Sequence, residues 1–450
     1  MKNLSVLTAI QCAALAVSAA PAEKTPRPNI IFILADDLGF EGVGAYGGVN
    51  YKGLGSVRTP NLDAMAKNGM LFKRSFACAV CSPSRAELLT GQYNFRSGFI
   101  AIAGVRGAVS ELDENAHPTL AMRLKAAGYE TAVAGKWHIG PPDNKDEFPS
   151  TAEADTQYEH VKDCGFDRQC VFGGGHLEHF GEPVPGKYTP DVLQKWVLNF
   201  LNSRKDQPQP FFLYYASPFP HAPYYPTPLN PDGPQGGRHG DLRNFPYMVE
   251  YLDQQVGEIL NRLKELGMSE NTLVFFAGDN GGPHTVTTEM RDGREITGGK
   301  GSPLDTGSWV PMLASWPGVI APGSVYNDLV DFSDITPTCL ALAGVPEPSG
   351  LDGISFAPQL QGLPGTPRTW IHVLQLTRYF ARDLHWKLRE NGSLYDVSDS
   401  PYEETRITNN TLTPEAEAAR TRLQAVLDQL HPNGSQKQHQ KKERSKDAAE

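Results

Sequence analysis

The stretch Asn29-Ile30-Ile31-Phe32-Ile33-Leu34-Ala35-Asp36-Asp37 sets an unbroken apolar run directly against two adjacent carboxylates. A run of strand length that is apolar at successive positions, rather than at alternate ones, belongs to a strand covered on both faces, as in parallel sheets. Three more runs repeat the pattern. Thr131-Ala132-Val133-Ala134 ends in Gly135-Lys136-Trp137-His138, Phe211 to Ala216 ends near His221, and Leu273-Val274-Phe275-Phe276-Ala277 ends in Gly278-Asp279-Asn280. Helix patterns lie between them. Thr59-Pro60 opens one as a cap followed by proline, with Leu62, Met65 and Ala66 on one face and Gly69 as its stop. Another follows Pro118 through Leu120, Leu124 and Ala127 to Gly128, and Cys-free patterns open at Thr189-Pro190 and near Val249, the last stopping at Gly267. Strands that alternate with helices and end in polar residues predict an α/β fold with a doubly wound, mostly parallel sheet flanked by helices. Its site then lies outside the carboxyl ends of the strands.

The chain has 450 residues, enough to bury a large core. Residues 27–366 read as one large domain that carries the site. Beyond them Trp370-Ile371-His372-Val373, Trp386-Lys387-Leu388 and Ser393-Leu394-Tyr395 are short strand-like pieces, and Thr413-Pro414 opens a helix through Leu430. Residues 367–431 therefore read as a small C-terminal subdomain of antiparallel sheet plus helix. Residues 432–450 have too few apolar side chains to fold and read as a disordered tail. A net charge of -10 argues against nucleic-acid binding, because no broad basic face is available for a phosphate backbone.

Residues 1–20 read as a signal peptide, with Lys2 before an apolar run from Leu4 to Val17 and small residues at Ser18, Ala19, Ala20 and Ala22. The run is too short to span a bilayer, and no later run reaches that length. The expectation is export, to a periplasm or the exterior, or to a lumenal or lysosomal compartment in a eukaryote. Export permits disulfides. Cys164 and Cys170 are spaced to close a short loop, whereas Cys339 reads as a free core thiol.

The chemistry is announced by Cys81-Ser82-Pro83-Ser84-Arg85-Ala86-Glu87-Leu88-Leu89-Thr90-Gly91, which fits C-x-P-S-R-x-x-x-L-T-G at every fixed position. Seven fixed positions coincide by chance in about one window per billion. The alternatives are a buried thiol or a redox or zinc Cys78-x-x-Cys81 pair, but zinc needs a second Cys or His pair nearby and none is at hand. The segment resembles the signature of the type I sulfatases, of the alkaline phosphatase superfamily. In that family a formylglycine-generating or sulfatase-maturating enzyme oxidises the cysteine to formylglycine, and Cys81 holds the matching position.

Asp36, Asp37, Asp279 and Asn280 offer only oxygen ligands, which suit a hard divalent cation better than zinc, although each pair alone also reads as a helix cap or a turn. The resemblance makes them ligands of one calcium ion, with the residue at position 81 completing the shell. It also assigns Arg85, Lys136 and Lys300 to the sulfate oxygens, His138 to breakdown of the sulfated intermediate, and His221 to the leaving-group oxygen as general acid. His284 is a candidate contact to substrate, as are His176, His179, Tyr224 and Tyr225. The implied reaction is hydrolysis of a sulfuric ester, on a sulfated carbohydrate or an aryl sulfate. Alternative functions are a phosphate or phosphonate ester hydrolase of the same superfamily and an unmatured protein that binds sulfated glycans. The sequence departs from the family at Asp305-Thr306-Gly307-Ser308-Trp309, where relatives carry Glu-Gly-Gly, any residue, then Arg. That places the loop after Lys300 in question, and Trp309 reads as a packing residue.

Overall fold

The computed structural model describes residues 27–140, 152–153, 155–173 and 188–431. The signal segment, His176, His179 and the tail lie outside these residues. At the centre is a mixed sheet of nine strands. Asn29–Ala35 lies in its middle, parallel to Phe211–Ala216 on one side and to Thr272–Gly278 on the other. Glu130–Lys136 and Arg168–Phe172 extend the parallel part beyond Phe211–Ala216. On the other flank Met312–Ser315 runs antiparallel between Thr272–Gly278 and Met70–Phe76, and Ser324–Asp331 pairs parallel with Met70–Phe76. The sheet is thus parallel for the most part and flanked by helices, as its apolar runs predict.

The register of the central strands builds the site. Ala35 pairs with Gly278 and Leu34 with Ala216, so the polar residues that follow leave the sheet side by side. Gly135 pairs with Ala216 at a φ of 98°, and a Cβ there would lie 1.9 Å from the Ala216 carbonyl oxygen. Only glycine allows this approach, and the strand beyond it delivers Lys136 to the same edge.

Alternate side chains of each strand enter two separate cores. Ile30, Phe32 and Leu34 pack with Phe212, Tyr214 and Phe275 on one face, and Ile31 and Ile33 with Leu213, Tyr215 and Phe276 on the other. The division also overturns the expected Cys164–Cys170 bridge. Cys164 belongs to the first core and Cys170 to the second, and both are free thiols. Side chains on opposite faces of one sheet cannot reach bridging geometry. Cys339 is a buried free thiol.

Pro60–Asn68 forms the expected helix, but Thr59 does not cap it. Its hydroxyl accepts from Gly44 N–H at 2.9 Å, and the cap comes instead from Asp253, which accepts from Leu62 N–H at 2.8 Å and Asn61 N–H at 3.1 Å. The C-terminal region is a five-stranded antiparallel sheet running from Ile371 to Arg406, backed by the helix Pro414–Leu430. Ile371, Val373 and Phe380 dock it onto Phe40, Phe76 and Trp309 of the large domain. No described helix is long and apolar enough to cross a membrane.

Candidate active site

Cys81 is the first residue of the helix Cys81–Thr90, every residue of which is buried. Pro83 fits its first turn, Ser84 Oγ donates to Val80 O at 3.0 Å, and Gly91 ends it at a φ of 69°. The helix therefore presents its electropositive end at Cys81. Burial pushes the Cys81 thiol up, against the opposing pull of Lys136 and Lys300.

Around this end the structure gathers the residues that the sequence singled out. Oxygens of Asp36 and Asp279 and the sulfur of Cys81 lie within 4.8 Å of one another. Asp37, at a φ of 65°, turns its N–H to Asp279 Oδ1 at 3.1 Å and accepts from Asn280 Nδ2 at 2.9 Å. Arg85 donates through Nη2 to Asp279 at 2.8 Å and through Nη1 to Lys136 O at 2.6 Å. Lys136 Nζ donates to Asp36 Oδ2 at 2.6 Å, and Lys300 Nζ to Asp37 at 2.6 to 2.7 Å on its two oxygens.

The three carboxylates are shifted in different directions. Burial opposes the charge on Asp36, but Lys136, His221 and Arg85 hold it well below the usual carboxylate range, and Lys300 and His221 lower Asp37 against the same burial. Asp279 goes the other way, pushed up to about 7 by burial and by Asp36. Two buried acceptors, Asp36 Oδ1 and Asn280 Oδ1, have no hydrogen-bond partner among the described residues. Unmet acceptors on hard oxygen ligands, beside a carboxylate displaced by its neighbours, are what a divalent cation would satisfy.

His221 Nε2 stands 3.6 Å from Asp37 Oδ2 while its Nδ1 meets Ala222 O. His138, at a φ of 60°, is half-buried, and its Nδ1 atom is buried with no partner among the described residues. Burial lowers both imidazoles, His138 the more, with Lys136 and Arg85 adding to the effect there. His284 is brought to no such contact. It is exposed on the loop after Gly282-Pro283 and makes no hydrogen bond among the described residues.

The loop that departs from the family pattern forms one helical turn, Asp305–Ser308, under the site. Gly307 O accepts from Gly281 N–H at 2.9 Å and Thr306 O from Gly299 N–H at 3.2 Å, so the turn supports both the Asp279-Asn280 and Lys300 loops. It is fastened by Asp305 to Arg382 and, at 2.6 Å, to Lys387 of the C-terminal sheet. Burial opposes the Asp305 charge, yet these two cations hold it at about 2. Trp309 packs on Phe40 and Phe76, with ring centroids 4.9 and 5.4 Å away. Glu87 escaped the sequence reading because its position in the signature is a variable one. It accepts from Cys78 Sγ at 3.2 Å and Asn94 N–H at 3.3 Å, bracing the helix from below, and burial with Asp331 pushes it well up.

Residues 28–345 match the family model Sulfatase, and residues 304–432 match N-sulphoglucosamine sulphohydrolase, C-terminal. The chain belongs to the sulfatase family. This sulfatase-family chain is 34% identical over 376 residues to N-acetylgalactosamine-6-sulfatase of Rattus norvegicus, a match covering 74% of the chain and 66% of that relative. It thus spans about two thirds of the rat protein's length. It is 34% identical over 384 residues to human arylsulfatase A, covering 79% of the chain and 71% of the relative. Among solved structures it resembles Ps i-CgsB in complex with k-i-k-neocarrahexaose, at 25% identity and a TM-score of 0.72, covering 90% of this chain and 92% of that one. The C-terminal family model begins at residue 304, so it takes in the Asp305 turn together with the sheet that fastens it.

Proposed function

We propose that the protein is a sulfuric ester hydrolase acting on a sulfated carbohydrate, with Cys81 matured to formylglycine and one calcium ion held by Asp36, Asp37, Asp279, Asn280 and position 81. The observation that carries this reading is the placement of position 81 at a buried helix N-terminus, within 4.8 Å of oxygens of Asp36 and Asp279. A raised thiol is a poor source of thiolate, which speaks for the modified residue as the working nucleophile. When present, the formylglycine supplies a hydrated aldehyde and the cation polarises it and the sulfate. Relatives named for N-acetylgalactosamine 6-sulfate and a fold neighbour bound to a neocarrahexaose support a carbohydrate ester.

The chain's own residues have separable tasks. Lys136 and Lys300 offer ammonium donors toward sulfate oxygens, and the helix N-terminus favours negative charge at the same point. Arg85, spent on Asp279 and the Lys136 carbonyl, fixes the geometry of a ligand and a donor together. His221 lies at the solvent-facing side, 27% exposed, with a lowered pKa that eases release of a proton to a departing alcohol. His138 is half-buried and held neutral by desolvation and by Lys136, which suits it to accept a proton at the site. Export through residues 1–20 brings the protein to its substrate, and maturation of Cys81 needs a partner enzyme.

The test is to assay the matured protein in parallel on sulfate and phosphate monoesters and to weigh the tryptic peptide 75–85. Sulfate release together with an aldehyde at position 81 is expected. Phosphate release alone, or an unmodified cysteine in a fully active protein, overturns the proposal.

A further inference from the structure

The C-terminal sheet approaches the site through one hairpin whose two faces have different neighbours. Along Ile371–Gln375 and Arg378–Arg382, the residues Ile371, Val373 and Phe380 pack against the large domain, while His372 and Tyr379 on the other face meet His431. Directly paired residues of an antiparallel ladder share a face, and faces alternate along each strand. Gln375 pairs with Arg378 in the register that pairs Val373 with Phe380. Both side chains therefore leave the hairpin on the side turned to the large domain.

That side meets the site. A Cβ built on Gly301, the residue after Lys300, would lie 3.5 Å from Gln375 Nε2 and 3.9 Å from Cγ1 of Val80, the residue before Cys81. The tip is clamped in place, since Leu376 N–H donates to Ile100 O at 2.6 Å and Ala103 N–H donates to Ser82 Oγ at 3.2 Å. Among the described residues Gln375 makes no side-chain hydrogen bond and Arg378 no ion pair, although Gln375 is half-buried and Arg378 is exposed. A half-buried amide without an internal partner offers both donor and acceptor to an entering ligand. A guanidinium on the same face matches a carboxylate or sulfate through two parallel hydrogen bonds.

We infer that Gln375 and Arg378 form the recognition edge of the site. Gln375 takes a hydroxyl of the sugar that bears the ester, and Arg378 takes a second anionic group, so the substrate is an oligosaccharide carrying a carboxylate or another sulfate beside the ester that is cleaved. The inference rests on the sulfatase reading above and narrows it to polyanionic glycans.

Gln375→Ala, Arg378→Ala and Arg378→Lys are compared with the parent, all matured and calcium-loaded, on four probes. These are 4-nitrophenyl sulfate, N-acetylgalactosamine 6-sulfate, the chondroitin 6-sulfate disaccharide, which adds a carboxylate and no second sulfate, and ι-carrageenan oligosaccharides, which add only sulfate. Arg378→Ala is expected to lose at least about tenfold more kcat/KM on one oligosaccharide than on the two small esters, through KM, with partial rescue by lysine. The oligosaccharide affected tells carboxylate from sulfate. Gln375→Ala is expected to weaken the sugar esters relative to 4-nitrophenyl sulfate. Equal losses on all probes, no losses, or a parent that cleaves the small esters and neither oligosaccharide overturn the inference. A parent with matured Cys81 that releases sulfate from none of the four overturns the sulfatase reading itself.

Discussion

Arg85 and Asp279 meet inside the protein with Nη2 2.8 Å from Oδ2 and both side chains fully buried. The same guanidinium holds the Lys136 carbonyl through Nη1, so a residue of the signature helix ties together the ends of two strands. Burial disfavours its charge, but Tyr214, Asp279 and Asp36 more than restore it. Arg85→Lys keeps the charge and loses the fork. One ammonium cannot reach both the carboxylate and the carbonyl in the same geometry. The expected result is a fall of about 10²- to 10³-fold in kcat/KM. Arg85→Ala, which strands two buried carboxylates, is expected to cost on the order of 3–5 kcal/mol of stability in denaturant titration. A lysine variant with parental kinetics would remove Arg85 from the working site.

Removal of the divalent cation is expected to abolish turnover and lower the thermal midpoint, and added calcium or magnesium to restore both. Three buried carboxylates converge here, with Asp279 driven toward neutrality and two acceptor oxygens unpartnered. Asp36→Asn should weaken the calcium response of the midpoint as well as the rate. Full activity after exhaustive chelation would rule the cation out.

Glu41 offers a separate pH signature. It is 4% exposed, Oε2 has no hydrogen-bond partner among the described residues, and burial pushes it from 4.5 up to about 7. Gly39 and Gly282 leave the room for it, since a Cβ on either would come within 2.3 and 2.8 Å of its oxygens. The folded state binds this proton more tightly than the unfolded chain does. Its stabilising contribution is therefore complete below about pH 4.5 and is lost as pH rises through about 7. Glu41→Gln should flatten the stability profile over that window by up to about 3 kcal/mol, read from denaturant midpoints at pH 5 and 8. An unchanged slope would mean that Glu41 ionises freely in the native state.

Four of the five parallel central strands, and the residues at their ends, were legible because each is an uninterrupted apolar run closed by polar residues. Arg168–Phe172, the fifth, was not, because polar Arg168 and Gln169 leave it only a short apolar run. Met70–Phe76 on the other flank was not either, because Lys73 and Arg74 break its run and its partners lie far along the chain, in Met312–Ser315 and Ser324–Asp331. The pairing of Asp305 with Arg382 was invisible for a similar reason. Each looks like a surface charge until the C-terminal sheet is docked, and only then does the turn prove to be held from below. The cap from Asp253 onto Pro60–Asn68 is likewise tertiary, where the sequence supplies a plausible local cap in Thr59.

If His221 protonates the departing alcohol, its removal should matter in proportion to the need for that proton. His221→Ala is expected to lose about 10²- to 10⁴-fold on sugar sulfates and far less on 4-nitrophenyl sulfate, whose phenolate leaves unaided. A plot of rate against leaving-group pKa should steepen in the variant. Equal losses across the series would assign His221 to holding Asp37, 3.6 Å away, and not to proton transfer.

Cys81→Ser tests the proposed need for modification at position 81. The substitution places one hydroxyl at the start of the Cys81–Thr90 helix, with the side chains of Asp36, Asp279, Lys136 and Arg85 left as they are. A serine there can still attack sulfur and release the alcohol, forming a serine sulfate ester. It has no second hydroxyl on the same carbon, so it cannot expel sulfate by forming a carbonyl. Attack by water on that ester is hindered because the position is buried, at 1% exposure in the parent residue. The variant should therefore release about one equivalent of alcohol per protein and then stop, with a sulfated peptide 75–85 found by mass, whereas the matured parent turns over continuously. Sustained turnover by the serine variant at the parental rate would mean that external water displaces sulfate, and the requirement for formylglycine would fall.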